Sequence, residues 1–112
     1  YETGRSKVRE RGNPSCHNHS HCRAPRASRA QLLRVHTPDY LDWLEAIVPE
    51  SGYRDIDLDT RMTPKTPEAA LRAAGAAVLA TDLVVDGEVE NAFCPVRPPG
   101  HHASAAKRAS GN

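Results

Sequence analysis

The sequence has few aromatic residues, few cysteines and no long apolar run. Phe, Trp and Tyr make up 4% of its 112 residues, and no apolar stretch approaches the roughly 20 residues that a membrane-spanning helix needs. The three cysteines, Cys16, Cys22 and Cys94, are too few for a disulfide framework, and their number is odd. We therefore expect no membrane association, and reduced cysteines in an intracellular protein, cytoplasmic or nuclear.

Neither sign of charge dominates the sequence, which has 15 Lys and Arg against 14 Asp and Glu. The balance gives no reason to expect a nucleic-acid partner. The distribution is uneven, because the first 34 residues contain eight basic and two acidic residues. A basic arm can bind nucleic acid or an acidic surface. The low apolar content of residues 1–24 instead favours a solvated, disordered arm.

A hydroxyl residue followed by proline occurs at Thr37-Pro38 and at Thr66-Pro67, and each pair predicts the start of a helix. The first helix carries apolar residues at helical spacing, and a shorter helix is expected before it, over 29–35. The second helix should continue for about 18 residues, because no breaker occurs until Asp86-Gly87.

The second predicted helix is almost entirely Ala, Leu and Val, with a thin polar stripe on one side. We therefore expect it to be mostly buried, with small residues that let it approach a sheet closely. The stripe consists of Glu68, Arg72, Gly75 and Asp82.

An apolar segment over 91–96 predicts a short buried strand, which leads into Pro98-Pro99-Gly100 and then His101-His102. The prolines fix φ and lack N–H donors, whereas glycine adopts dihedrals that other residues avoid. A rigid loop at the end of a strand is a usual place for catalytic groups in an open α/β sheet, and both histidines can titrate near neutral pH. The order helix, turn, strand, loop favours an α/β layer fold.

These residues carry a resemblance to a known family. The heptapeptide Arg97-Pro-Pro-Gly-His-His-Ala103, preceded by Asn91-Ala-Phe-Cys, resembles the histidine-pair loop of the zinc-dependent histone deacetylase family, which includes acetoin-utilisation and acetylpolyamine amidohydrolases. Three upstream segments also resemble that family: residues 31–41, 58–60 and 68–76. The resemblance extends over residues 25–103 and does not include 1–24 or 104–112.

The resemblance implies an α/β protein, a partial three-layer domain with a parallel sheet of the arginase–deacetylase type. Residues 25–103 would form its N-terminal portion, between a basic arm at 1–24 and a non-matching tail at 104–112. We accordingly expect a fragment of a zinc-dependent amidohydrolase that is inactive alone. The alternative is a non-catalytic truncated remnant or a binding module with a basic arm. The oligomeric state stays open.

The resemblance also implies site residues. His102 would act as general base and acid in the hydrolysis of an acetylated lysine or another acetylated amine, and His101 would assist it. Asp59 would hold the substrate backbone at the rim of the site, although a turn-forming Asp explains it equally well. Zinc would be the cofactor of the complete protein. The family's metal ligands have no counterpart in this chain, so no metal-ligating residue is assigned.

The segment from Cys16 to Cys22 contains five Cys and His side chains within seven residues. Their spacing is too compressed for a standard zinc finger, and no second ligand pair follows. Alternating side chains would also point to opposite sides of an extended segment. We therefore expect no structural metal site there.

Overall fold

The computed structural model of the chain describes residues 16–17, 21–101, 103 and 105–106. Most of the expected arm at 1–24 and of the tail at 104–112 lies outside them. In the described part, two antiparallel ribbons accompany three helices. The helices are α1 (Arg29–Leu32), α2 (Pro38–Ala46) and α3 (Thr66–Val85); the ribbons pair β1 (Cys16–His17) with β2 (His21–Cys22) and β3 (Arg54–Asp55) with β4 (Arg61–Met62).

Helix α2 begins as its sequence predicts. Thr37 is the N-cap, and its Oγ1 accepts a hydrogen bond from the backbone N–H of Tyr40 at 3.2 Å. Pro38 occupies the first helical position. A backbone N–H there would have no acceptor within the helix, so proline loses no hydrogen bond. The cap-then-proline pattern therefore fixed this start through purely local chemistry.

Helix α3 ends at the predicted glycine. Gly87 has φ +77° and donates its N–H to the Val84 carbonyl at 3.1 Å, while Glu88 donates to the Leu83 carbonyl at 2.9 Å. These two bonds form a Schellman motif, which satisfies carbonyls that the end of a helix leaves without partners. Within the described residues, no helix is both long and apolar enough to cross a bilayer.

The start of α3 differs from the prediction by one residue. Lys65 is the N-cap and makes no side-chain capping bond, whereas Thr66 is already helical. The hydroxyl of Thr66 is engaged elsewhere, since it accepts the backbone N–H of Thr63 at 2.9 Å. A turn preceding the helix thus takes the hydroxyl that the pattern assigned to capping.

The polar stripe of α3 is a packing face. Arg72 Nη1 donates to the Ala24 carbonyl at 2.9 Å, and the Ala27 N–H donates to the Leu71 carbonyl at 3.0 Å. Gly75 is buried beneath Pro25, at a position where an added Cβ would lie 1.8 Å from the Pro25 carbonyl oxygen. The prediction of close approach to a sheet is therefore wrong in its partner, which is the segment 24–27.

Helix α3 is also less buried than expected, because only Gly75 and Leu83 among its residues are buried. The described core is small. Its buried apolar side chains are Ala27, Leu41, Pro49, Met62 and Leu83.

The strand predicted over 91–96 is wrong for this structure, in which the segment has no regular secondary structure. Cys94 and Val96 are half-buried, whereas Phe93 is 88% exposed. The alternation of a strand is present, but no described strand pairs with the segment. Since a strand needs a hydrogen-bonded neighbour, apolar content alone could not produce one. The described residues accordingly contain antiparallel ribbons and not the parallel sheet that we expected.

Glu68 joins segment 24–27 to α3 by accepting two arginine side chains on one oxygen. Its Oε1 lies 2.9 Å from Arg26 Nε and 3.1 Å from Arg72 Nε. The hydrogen bond from Arg26 is the main cause that lowers the pKa of Glu68 below its usual 4.5, and Arg72 adds to it. Because the folded state favours the carboxylate, the network stabilises the protein fully at pH values above the usual pKa of 4.5. This stabilisation is lost as the pH falls through the lowered pKa of Glu68 in the folded state.

Replacing Glu68 with glutamine should therefore cost stability at neutral pH and little in acid. Urea unfolding at about pH 7 and about pH 3 measures the difference, which should shrink at the lower pH. Glu50→Gln is the control, since Glu50 is exposed and the described residues give it no ion pair. An equal loss for Glu68→Gln at both pH values would contradict an ionic role.

Candidate functional site

His101 lies in a segment without helix or strand, and we name the stretch from residue 94 to residue 105 the histidine loop. Gly100 has φ +83°, a conformation that favours glycine, and its carbonyl accepts the N–H of Ala103 at 2.9 Å. This bond closes a tight turn that includes His101. His101 is exposed on the turn, whereas the position of His102 lies outside the described residues. The peptide bond between Arg97 and Pro98 is cis.

Both ends of the histidine loop are bonded to helices. At the first end, Cys94 Sγ lies 3.7 Å from the Ala76 carbonyl oxygen of α3, to which the thiol donates. At the other end, the Thr37 N–H donates to the Ala105 carbonyl at 3.1 Å, at the start of α2. The loop is thus held between two helices that the sequence predicts well.

The sequence indicates Thr37 only as a helix cap and places Cys94 only in the predicted buried strand over 91–96. A signal for the role of Thr37 was present. In a capping box, the side chain at the third helical position returns to the N-cap N–H. Gln31 does so for Ser28 at the start of α1, at 2.9 Å. The equivalent position of α2 is Tyr40, so the Thr37 N–H needs an acceptor from elsewhere.

Three aromatic rings contact one another around the start of α2: His36, which precedes the helix, is tilted against Tyr40, and Tyr40 stacks on Trp43. The centroids of His36 and Tyr40 are 5.3 Å apart, and those of Tyr40 and Trp43 are 6.0 Å apart. Burial raises the pKa of Tyr40 above its usual value of 10.0. Among the described residues, the bond from the Thr37 N–H to the Ala105 carbonyl joins the start of α2 to the histidine loop.

Asp59 lies on the exposed loop that joins β3 to β4. The loop is closed by a bond from the Ile56 N–H to the Thr60 carbonyl at 2.8 Å. Asp57 supplies the turn-forming carboxylate, since its Oδ1 accepts the N–H of Asp59 at 3.0 Å. The side chain of Asp59 is exposed beside Leu58, which is 97% exposed. The turn-forming explanation thus applies to Asp57, and a substrate-binding role for Asp59 stays a prediction.

The cysteines differ from the expectation that all are reduced. Cys22 is disulfide-bonded, and its backbone pairs with that of Cys16 across the β1–β2 ribbon. Cys94 is a free thiol. The prediction of reduced cysteines is therefore wrong for Cys22, because a count of cysteines cannot reveal that a tight ribbon places two of them opposite each other. Cellular location stays a prediction.

A metal site requires several ligating side chains to converge. Among the residues that the structure describes, no group of three or more His, Cys, Asp or Glu side chains could hold a metal ion. A catalytic zinc ion usually has three protein ligands. The described residues therefore do not fit zinc.

A family model described as the histone deacetylase domain matches residues 5–112. The chain belongs to the histone deacetylase family. The match extends on both sides of the 25–103 region in which the resemblance was visible from motifs. The assignment agrees with the heptapeptide Arg97–Ala103 and with the segments before it.

Relatives in this family share a similar portion of the chain. This chain is 44% identical over 78 residues to a probable deacetylase of Archaeoglobus fulgidus. The match includes 70% of this chain and 21% of the relative. The chain is 42% identical over 79 residues to a histone deacetylase-like amidohydrolase of Pseudomonas aeruginosa, with 70% and 20% covered. A human polyamine deacetylase is 35% identical over 91 residues, with 74% and 13% covered. The chain thus spans about a fifth of the length of the first two deacetylases.

Proposed function

We propose that the complete protein containing this chain hydrolyses acetyl amides and releases acetate from lysine side chains or other amines. Family membership supports this reaction class, together with relatives named as deacetylases and an amidohydrolase. The structural observation that supports the proposal is the turn from Gly100 to Ala103, which carries His101 on a loop with bonds to two helices.

The histidine pair would supply the proton transfers of amide hydrolysis. Water attacks the amide carbon, and the imidazole of His102 takes the proton that the water loses. The carbon–nitrogen bond then breaks as His102 returns a proton to the departing amine. His101, exposed on the same turn, would assist by tuning the charge of its neighbour.

Zinc is the cofactor that the family resemblance implies for the complete protein. Since the described residues hold no suitable ligand set, we propose that its ligands lie in other parts of that protein.

Asp59 would contribute to substrate binding from the β3–β4 loop. Its exposed carboxylate can accept N–H groups, and a peptide carrying acetyl-lysine offers them along its backbone. An acetylated polyamine offers amine cations instead. Either substrate class therefore suits an acidic group at this place, and the two are separated by experiment.

The test is deacetylation by the full-length protein with two substrates, an acetyl-lysine peptide and an N-acetylated polyamine. We expect release of acetate from at least one of them, and none from the 112-residue chain alone. Absence of turnover on both by folded full-length protein would favour the alternative, a non-catalytic binding module. Turnover by the isolated chain would contradict the proposal that the metal ligands lie elsewhere.

A further inference from the structure

Among the described residues, one side-chain bond and one backbone bond join the histidine loop to helices, and in the sequence they lie on either side of the histidines. Cys94 precedes His101 by seven residues and bonds to Ala76 of α3. Ala105 follows His101 by four residues and accepts the N–H of Thr37. A segment fixed at both ends samples fewer conformations than one fixed at a single end, because its closure entropy is already lost.

The bond at Thr37 depends on the geometry of the helix start. Thr37 has φ −75° and ψ 151°, the extended conformation of an N-cap, and its Oγ1 holds the N–H of Tyr40 at 3.2 Å. That side-chain bond fixes the first turn of α2. The Thr37 N–H points away from the helix as a result, toward the Ala105 carbonyl. Loss of the hydroxyl would let the first turn fray and the N–H change direction.

The bond at Cys94 depends on a donor at that position. The thiol is half-buried and lies 3.7 Å from the Ala76 carbonyl oxygen. A thiol is a weak donor, so this anchor is the weaker of the two. Serine retains a donor there, and alanine removes it.

We propose that Thr37 and Cys94 are positioning residues that clamp the two ends of the histidine loop to α2 and α3 and so limit the conformations that the chain between them, with its histidines, can adopt during proton transfer. This inference rests on the proposed function. Neither residue touches substrate in it; both act through the loop. A displacement of a proton-transferring group by about 1 Å can cost up to roughly 100-fold in rate, so a loosened loop should lower kcat while leaving KM nearly unchanged.

Amide hydrogen exchange at Thr37 in the full-length protein tests the clamp without measuring activity. An N-cap N–H has no intrahelical acceptor, so protection at Thr37 reports the bond to Ala105. Pro38 has no N–H and adds no neighbouring signal. We expect the amide to exchange at least about tenfold more slowly than in an unfolded chain. Exchange at the unprotected rate would overturn the clamp.

Kinetics of four variants in the full-length protein complete the test. Thr37→Ala should lower kcat by about tenfold with KM changed less than about twofold, and Cys94→Ala should lower it less. Thr37→Ser and Cys94→Ser should restore most of the loss, since each keeps the polar group. The matched control is Ser28→Ala, which removes the other hydroxyl N-cap, one whose N–H bonds to Gln31 and not to the loop.

The outcomes separate the clamp from the proposed function. If the wild type deacetylates neither substrate, the proposed function fails and the exchange at Thr37 still decides whether the loop is clamped. If the wild type is active but Thr37→Ala and Ser28→Ala have the same kcat, the clamp fails and the function stands. Equal losses in Thr37→Ala and Thr37→Ser would also overturn the clamp.

Discussion

Replacing Gly75 with alanine is expected to destabilise the protein by about 2 kcal/mol, although in a solvent-exposed helix this change gains about 1 kcal/mol. The new Cβ would lie 1.8 Å from the Pro25 carbonyl oxygen and 2.9 Å from the Ala27 nitrogen. These are backbone atoms that cannot rotate aside, so segment 24–27 must move away from α3. Overpacking of this kind costs about 1–3 kcal/mol, and the hydrogen bonds that tie Ala27 and Arg72 across the contact weaken with it.

Urea unfolding measures the total effect, and amide exchange at Ala27 reports the contact, because that N–H bonds to the Leu71 carbonyl. We expect exchange at Ala27 to accelerate in Gly75→Ala. The control is Ala77→Gly on the exposed side of α3, which should cost about 1 kcal/mol through helix propensity and leave Ala27 protected. A gain of stability in Gly75→Ala, as in an uncovered helix, would show that segment 24–27 does not pack there.

The sequence predicted those parts of the fold that short-range chemistry determines. The start of α2 follows from a hydroxyl, a proline and apolar spacing within about ten residues, and the end of α3 follows from a glycine that accepts positive φ. The strand expected over 91–96 failed because a strand depends on a partner that its own residues do not specify. The prediction that Gly75 lies against a sheet failed for the same reason. The small size of glycine predicts a close contact, but it does not say whether a sheet or an irregular segment makes that contact.

The same distinction between local and distant interactions applies to the candidate site. The heptapeptide ending at Ala103 identified the histidine pair, because a rigid turn and two imidazoles are encoded by adjacent residues. The partners of the loop are Thr37 and Ala76, which lie well before it in the sequence. The pattern at Thr37 shows only that its N–H needs an acceptor, and no pattern points to Ala76. Asp57 and Asp59 show the limit most clearly. Both suit a turn, and only the structure shows that the carboxylate of Asp57 forms it.

Replacing His102 with alanine should have the largest effect on catalysis. Loss of a general acid–base group usually reduces turnover by about 10²–10⁴-fold, and we expect kcat/KM of the full-length protein to fall within that range. His101→Ala should cost less, since in the proposed mechanism His101 assists and does not itself carry the proton. The fall should appear mainly in kcat, because the imidazole acts after the substrate is bound.

Two further measurements distinguish the loss of a base from the loss of the site. The zinc content of the full-length protein should be the same in His102→Ala and in the wild type, because the proposed role of the residue is proton transfer and not ligation. The pH dependence of kcat/KM should lose the limb that reports the base. The control is His21→Ala on the β1–β2 ribbon, a histidine that the proposed mechanism does not use. Because a general base can be lost without its metal, a His102→Ala variant that loses activity and zinc together would place His102 in the ligand set and contradict its assignment as the base.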